Sequence, residues 1–235
     1  RGGNYMAKRS ALAILILCII TISLHAGDVA HFVNLGFSSN SRYLMFGQYG
    51  IDEPEAKPFA EIYIVNVPAN DFTSDGVQRQ DFDVELSPGQ DGSGAFYTLL
   101  EGNTVLTRKY DIDHLSIGRL VYILLDGEQP KSHIEFRDFN TGNRYVVNLI
   151  QALYESGETI QASFHIQLTV VFDSGSTKTF TVGLPGYKRE GIAAYRIRQI
   201  ILSPDGKSLI FVVEKEYPND NGKTIRYMVE TVSFR

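Results

Sequence analysis

Phe37–Phe46 reads FSSNSRYLMF, and Leu202–Phe211 reads LSPDGKSLIF. The two stretches align at a constant offset of 165, pairing Ser38 with Ser203, Asn40 with Asp205, Arg42 with Lys207, Leu44 with Leu209 and Phe46 with Phe211. Each is an apolar residue, a serine, a turn built on Asn or Asp, a basic residue and an apolar run. Physically that is strand, tight turn, strand. Pro204 presets the first turn angle and Gly206 accommodates positive φ, as such turns require. The same offset lays EIYIVNV on RYMVETV, with Ile64 on Val229. A register kept over some thirty residues points to one repeated unit of several strands.

Outward from this pair, strand signals dominate. Segments such as RLVYILL, HIEFRDF, RYVVNLI, FHIQLTVVF and YRIRQIIL are rich in β-branched and aromatic residues, and most alternate apolar with polar positions, the period of a half-buried strand. Gly, Asn, Asp and Ser clusters of hairpin length separate them, among them DFNTGNRY and FDSGSTKT. One stretch differs. After a cap at Ser93, the residues Phe96, Leu99, Leu100 and Leu106 fall near helical spacing, although Gly102 costs that helix about 1 kcal/mol relative to Ala. The expected fold is all-β, antiparallel hairpins and meanders forming propeller-like blades, with one helix near residues 93–108. A two-sheet sandwich is the alternative.

The N-terminus carries a different message. From Met6 the chain reads MAKRSALAILILCIITISLHAGD, with a basic start at Lys8 and Arg9, an uncharged run from Ala11 to Leu24 and a small residue at Ala26. This is the layout of a secretory signal peptide. The apolar run is shorter than the roughly 20 residues a membrane-spanning helix needs. Residues 1–26 are therefore expected to be an upstream leader, Arg1 to Tyr5, followed by a cleaved signal. Residues 27–235 form one β-rich domain that is periplasmic or secreted, with no membrane span left after cleavage. Cys18 sits too early in the run, and behind the wrong residue (Leu17), for a lipid anchor.

Cleavage takes Arg1, Lys8 and Arg9 and no acid, so 22 basic against 27 acidic residues becomes 19 against 27, a formal charge of −8. That balance opposes binding to nucleic acid or an anionic membrane surface. The only cysteine leaves too, so no disulfide or thiolate chemistry remains.

The repeated turn resembles the Ser-Pro-Asp-Gly turn of TolB-type, WD40-like β-propellers, in which it joins two strands of each blade. The match is close in LSPDGKSLIF, whereas Ser39 and Ser41 replace Pro and Gly in the first copy. The chain as a whole is similar to a family of predicted secreted bacterial proteins, domain of unknown function 2259. FVNLGFSSNSRYLMFGQYG, IEFRDFNTGNRYVVNL and IRYMVETVSF carry that likeness. It implies export and a β-rich fold and brings no catalytic residues.

Motifs for chemistry are sparse. GKS at Gly206 and GKT at Gly222 match the end of a phosphate-binding loop, but Ile201 and Tyr217 stand where its first glycine must be. His31, His114, His133 and His165 show no metal-ligand spacing, and no Gly-x-Ser-x-Gly elbow is present. YDIDH brings together Asp111, Asp113 and His114, a candidate base or ligand set whose plainer reading is the polar end of a helix. No cofactor is expected. The favoured function is a non-enzymatic binding module of the bacterial envelope, with an envelope protein or small ligand as partner. The alternative is an envelope hydrolase using carboxylates such as Asp111 and Asp113. If the two copies adjoin, Asp52, Glu53 and Glu55 after one and Glu214, Glu216 and Asp220 after the other would line a negative rim, suited to a basic partner or a weakly held calcium ion. Ordinary solubilising loops are the competing explanation.

Overall fold

A computed structural model of the chain describes residues 28–52, 55–87, 89–157, 159–219 and 222–234. The expected leader and signal peptide, residues 1–26, lie outside these. Fourteen strands follow in order: β1 (His31–Ser38), β2 (Tyr43–Asp52), β3 (Lys57–Asn66), β4 (Asp71–Asp81), β5 (Ile112–Asp113), β6 (Arg119–Ile123), β7 (His133–Arg137), β8 (Arg144–Ser156), β9 (Thr159–Val171), β10 (Thr177–Val182), β11 (Arg189–Glu190), β12 (Ala194–Leu202), β13 (Ser208–Asn219) and β14 (Gly222–Ser233). Helices α1 (Ser93–Gly102) and α2 (Thr104–Lys109) lie between β4 and β5. The expected single helix is thus two short ones, broken at Asn103 just after the glycine that weakens it.

The strands form three antiparallel sheets: an N-terminal sheet ordered β4-β3-β2-β1-β5, a flanking sheet ordered β10-β9-β8-β7 with β11 also on β9, and a central sheet ordered β14-β13-β12-β6. The repeat is real in space. β1–β2 and β12–β13 form equivalent hairpins, with Phe37 opposite Leu44 in one and Leu202 opposite Leu209 in the other. Their turns share hydrogen bonds atom for atom. The Tyr43 amide donates to Ser38 Oγ at 2.9 Å and the Ser208 amide to Ser203 Oγ at 3.0 Å. Each serine hydroxyl in turn donates to the turn Asn or Asp, Asn40 Oδ1 at 2.9 Å and Asp205 Oδ1 at 2.6 Å. The third strand departs from the expected register. Ile64 faces Met45 across β2–β3, while Ile210, the counterpart of Met45, faces Thr231. Ile64 therefore corresponds to Thr231, not Val229. The two-residue shift arises because the β13–β14 hairpin is two residues longer: 18 residues separate Phe211 from its partner Glu230, against 16 between Phe46 and Tyr63.

Alternation along the strands decides how the sheets stack. Leu209, Phe211 and Val213 of β13 enter a core shared with Val147, Phe164, Ile166 and Leu168 of the flanking sheet. Ile210 and Val212 enter a second core with Phe37, Leu44, Phe46 and Tyr63 of the N-terminal sheet. The opposite side of the N-terminal sheet, with Met45, Ile62 and Ile64, is covered by Phe96 and Leu99 of α1. The layers are thus helices, N-terminal sheet, central sheet and flanking sheet. This three-sheet stack replaces the two-sheet alternative. The propeller-like arrangement is not shown: the sheets stack in a row, and among the described residues no apolar cluster joins the N-terminal and flanking sheets. The two copies are nevertheless neighbours, and Asn40, Ser41 and Arg42 of one turn share a cleft with Asp205 and Ser208 of the other.

Side-chain amides pair with central-sheet backbone that has no neighbouring strand. On β14, the Tyr227 amide donates to Gln48 Oε1 at 2.7 Å, and Gln48 Nε2 donates to the Tyr227 carbonyl at 3.4 Å. On the part of β12 that β6 does not reach, Gln151 makes the same pair of contacts with Tyr195, at 2.9 and 3.2 Å. Asn70 accepts from the Thr231 amide at 2.6 Å. An unpaired sheet edge is a hazard that these clamps remove.

Candidate functional site

The longest strands of the central sheet extend past their apolar cores, and there β13 reads Glu214-Lys215-Glu216-Tyr217. Alternation sends Glu214 and Glu216 to one face and Lys215 and Tyr217 to the other. On the first face, Glu214 is 7% exposed, with Arg198 at 3.7 Å and Arg196 at 3.9 Å, and it accepts from the Tyr227 hydroxyl at 3.5 Å. Burial pushes its carboxyl above the usual range despite those two guanidinium groups. The same burial, with the charge of Glu214, pushes the Tyr227 phenol up to about 12. Glu216 is bound by Arg196 and by Lys223 at 2.8 Å, and Arg198 also holds Asp126 at 2.7 Å. These charges pair with one another and close the face.

The second face gathers residues from all three sheets. Lys215 lies 5.7 Å from the Tyr217 ring centroid, with Tyr195 and Arg226 as its cross-strand neighbours. Arg226 pairs with Asp28 and lies 4.2 Å over the Phe59 ring. Arg79 of β4 pairs with Glu61 at 3.4 Å and donates to the Tyr63 hydroxyl at 3.2 Å. Arg189 of β11 approaches Glu230 at 3.9 Å. Burial holds the Lys215 amine below the usual lysine range; Arg79, Arg189 and Arg226 push it the same way, and Glu61 alone opposes them. Burial also raises the Glu230 carboxyl, against hydrogen bonding from Asn70 and the charge of Arg189.

The sequence-derived acids do not assemble as a free rim among the described residues. Glu214 and Glu216 lie inside β13, not in a loop after it, and are buried in ion pairs. Asp52 ends β2, where burial raises its carboxyl, and Glu55 reaches Lys57 at 3.4 Å. Among the described residues no hydrogen bond or ion pair joins these two sets. Glu53 and Asp220 lie outside the described residues.

The YDIDH residues have positional duties. Asp111 accepts from the Ser39 hydroxyl, Asp113 accepts from the Leu115 amide at 2.9 Å, and His114 Nδ1 lies 2.6 Å from the Leu35 carbonyl. Asp111 and His114 fasten the segment after α2 to β1 and the turn that follows it, and Asp113 closes a local turn within that segment. Among the described residues no three His, Cys, Asp or Glu side chains are grouped to hold a metal.

Residues 45–233 match the sequence profile of the family described as "Predicted secreted protein (DUF2259)". The chain belongs to this family. The profile covers nearly all of the three-sheet stack, including both faces of β13, and it is a description of export and not of an activity. Comparison with curated proteins found no match. None of the described helices is long and apolar enough to cross a membrane.

Lys215, Arg189, Arg226 and Arg79 were not singled out from the sequence. The signal was present in the sign alternation Glu-Lys-Glu after an apolar run, which places opposite charges on opposite faces once β13 is extended through it.

Proposed function

We propose that this protein is an exported, non-enzymatic binding module that works in the periplasm or outside the cell. Its ligand, a small molecule or a segment of an envelope protein, is taken at the Lys215–Tyr217 face of β13. The observation that carries this reading is convergence: β3 and β4, β11, and β13 and β14 each deliver a charged or tyrosine side chain to that one place. Junctions of packed elements lined by a few polar groups and aromatic rings are where ligand sites ordinarily form. The clamped edges make the scaffold behind it stiff. The carboxylates open to a hydrolase reading, Asp111 and Asp113, support the chain instead.

The test is to record amide NMR spectra of the protein while adding pools of envelope-derived sugars, peptides and metabolites. Saturable shifts centred on Tyr195, Lys215 and Tyr217 support the reading. Turnover of an added compound that disappears in Asp113→Asn would replace it with the hydrolase.

A further inference from the structure

Two cationic groups on this face are incompletely matched. The Arg189 guanidinium carbon lies 4.9 Å from the Tyr187 ring centroid and 5.3 Å from that of Phe164, so two rings fix its position. Its one carboxylate neighbour, Glu230, is at the outer limit of an ion pair at 3.9 Å. Its Nη1 is buried and has no hydrogen-bond acceptor. A buried donor without an acceptor is uncommon in a folded protein and calls for an explanation. Lys215, half-buried in mid-strand, has no carboxylate within ion-pair distance among the described residues. The two groups approach through Tyr195. Its ring centroid lies 4.2 Å from that of Phe164, one of the rings beneath Arg189, and it is the cross-strand neighbour of Lys215. The Tyr217 ring lies beside Lys215 and beside the turn after β11. Lys215 Nζ lies 5.7 Å from its centroid, and a Cβ at Gly191, two residues after Arg189, would lie 3.6 Å from its edge.

We propose that Lys215 and Arg189 together seat one oxyanion, a carboxylate or a phosphate group of the ligand, beside the Tyr217 ring. The inference rests on the binding reading above and adds the sign and chemistry of what is bound. An oxyanion meeting the part of the Arg189 side chain that solvent reaches, 22% of it exposed, gives Lys215 the counter-charge it lacks. Arg226 and Arg79 are already occupied by Asp28 and Glu61, so they contribute potential and not contact. The preference is opposite to that of a negative rim: in an acidic protein, the unmatched charge at this junction is positive.

Inorganic phosphate, acetate, spermidine and glucose are titrated separately into the wild type and into Lys215→Met, followed by amide NMR and thermal melting. Phosphate or acetate is expected to move the β11 and β13 amides saturably and to raise the melting temperature. Whichever of the two binds more tightly identifies the anion. Lys215→Met should weaken that binding by about tenfold, the usual size for losing one charged contact. Lys223→Met, on the other face of the sheet, should leave it unchanged. If spermidine or glucose moves these amides and the oxyanions do not, the binding site stands and the oxyanion assignment falls. If no probe moves them, both fall. Equal phosphate binding by Lys215→Met and wild type also overturns the assignment. Arg189→Met should weaken oxyanion binding as well; should that variant fail to fold, Lys215→Met decides alone.

Discussion

The N-terminal sheet and the central sheet are two copies of one unit with different covers. In both, the strand after the repeated turn points a Leu-x-Phe pair toward the next sheet: Leu44 and Phe46 toward the central sheet, Leu209 and Phe211 toward the flanking sheet. The residue between them points backward, and here the copies part. Met45 meets helix α1, whereas Ile210 meets the N-terminal sheet. Two residues on, Gly47 corresponds to Val212. A Cβ at Gly47 would come within 2.4 Å of Phe96 Cε2 and 2.7 Å of the Glu61 carbonyl oxygen, so the helix seats on a strand stripped of a side chain. The repeat therefore encodes the direction of stacking, and the backward cover differs: a helix inserted after the first copy covers one sheet, and the first copy's own sheet covers the other.

That difference is broken most forcefully at the two covers. Phe211→Ala leaves a hole between two sheets whose strands are pinned on both sides, and it should cost about 4 kcal/mol in urea unfolding. Phe96→Ala opens a comparable hole under α1, where a short outer helix can settle inward, and about 3 kcal/mol is expected. A larger loss at Phe96 would mean that the helices, and not the sheet stack, hold the fold together.

The edges give a second contrast. Gln48 is 1% exposed, and its amide serves both Tyr227 and Glu61, the latter at 2.5 Å. Gln48→Leu strands the buried Tyr227 backbone groups and should cost about 2–3 kcal/mol. Gln151 makes the same clamp on Tyr195 from an exposed position, where water can replace it. Gln151→Leu should cost less than about 1 kcal/mol, and amide exchange at Tyr195 should quicken while that at Tyr227 stays at its wild-type rate.

Much of this was legible in the sequence, for identifiable reasons. Serine, a turn Asn or Asp and a Leu-x-Phe pair are local signals, and the hairpins they specify formed as read. The third strand slipped by two residues because register there depends on a connection whose length the pattern does not carry. Both registers keep Ile64 and Thr231 on the same face, so the apolar alternation was blind to the difference. Glu214 and Glu216 looked like loop charges because charge ordinarily marks solvent. Only long-range pairing with Arg196, Arg198 and Lys223 allows β13 to bury them, and no sequence window holds those partners together. For the same reason the Lys215–Arg189 pair, drawn from different sheets, was invisible. That the central sheet lies between the other two likewise depends on which faces meet, and the alternation pattern marks a buried face without naming its partner.

The smallest effects separate the two turns. Ser41 and Gly206 occupy the same place, with φ of 56° and 69°. Both amides donate back to the turn serine carbonyl, at 2.8 Å to Ser38 and 2.9 Å to Ser203. A left-handed residue other than glycine carries a penalty of about 1–2 kcal/mol, more when β-branched. No atom lies within 4 Å of a Cβ added at Gly206, so Gly206→Val should lose about that amount through backbone strain alone. Ser41→Gly relieves the same strain in the other copy, but the freer unfolded chain takes back most of the gain. A net stabilisation of about 0.5 kcal/mol is expected, read as a small rise in melting temperature. If Ser41→Gly instead destabilises, the Ser41 side chain supports the cleft where the two turns meet, and the copies differ at a point where their hydrogen bonds are the same.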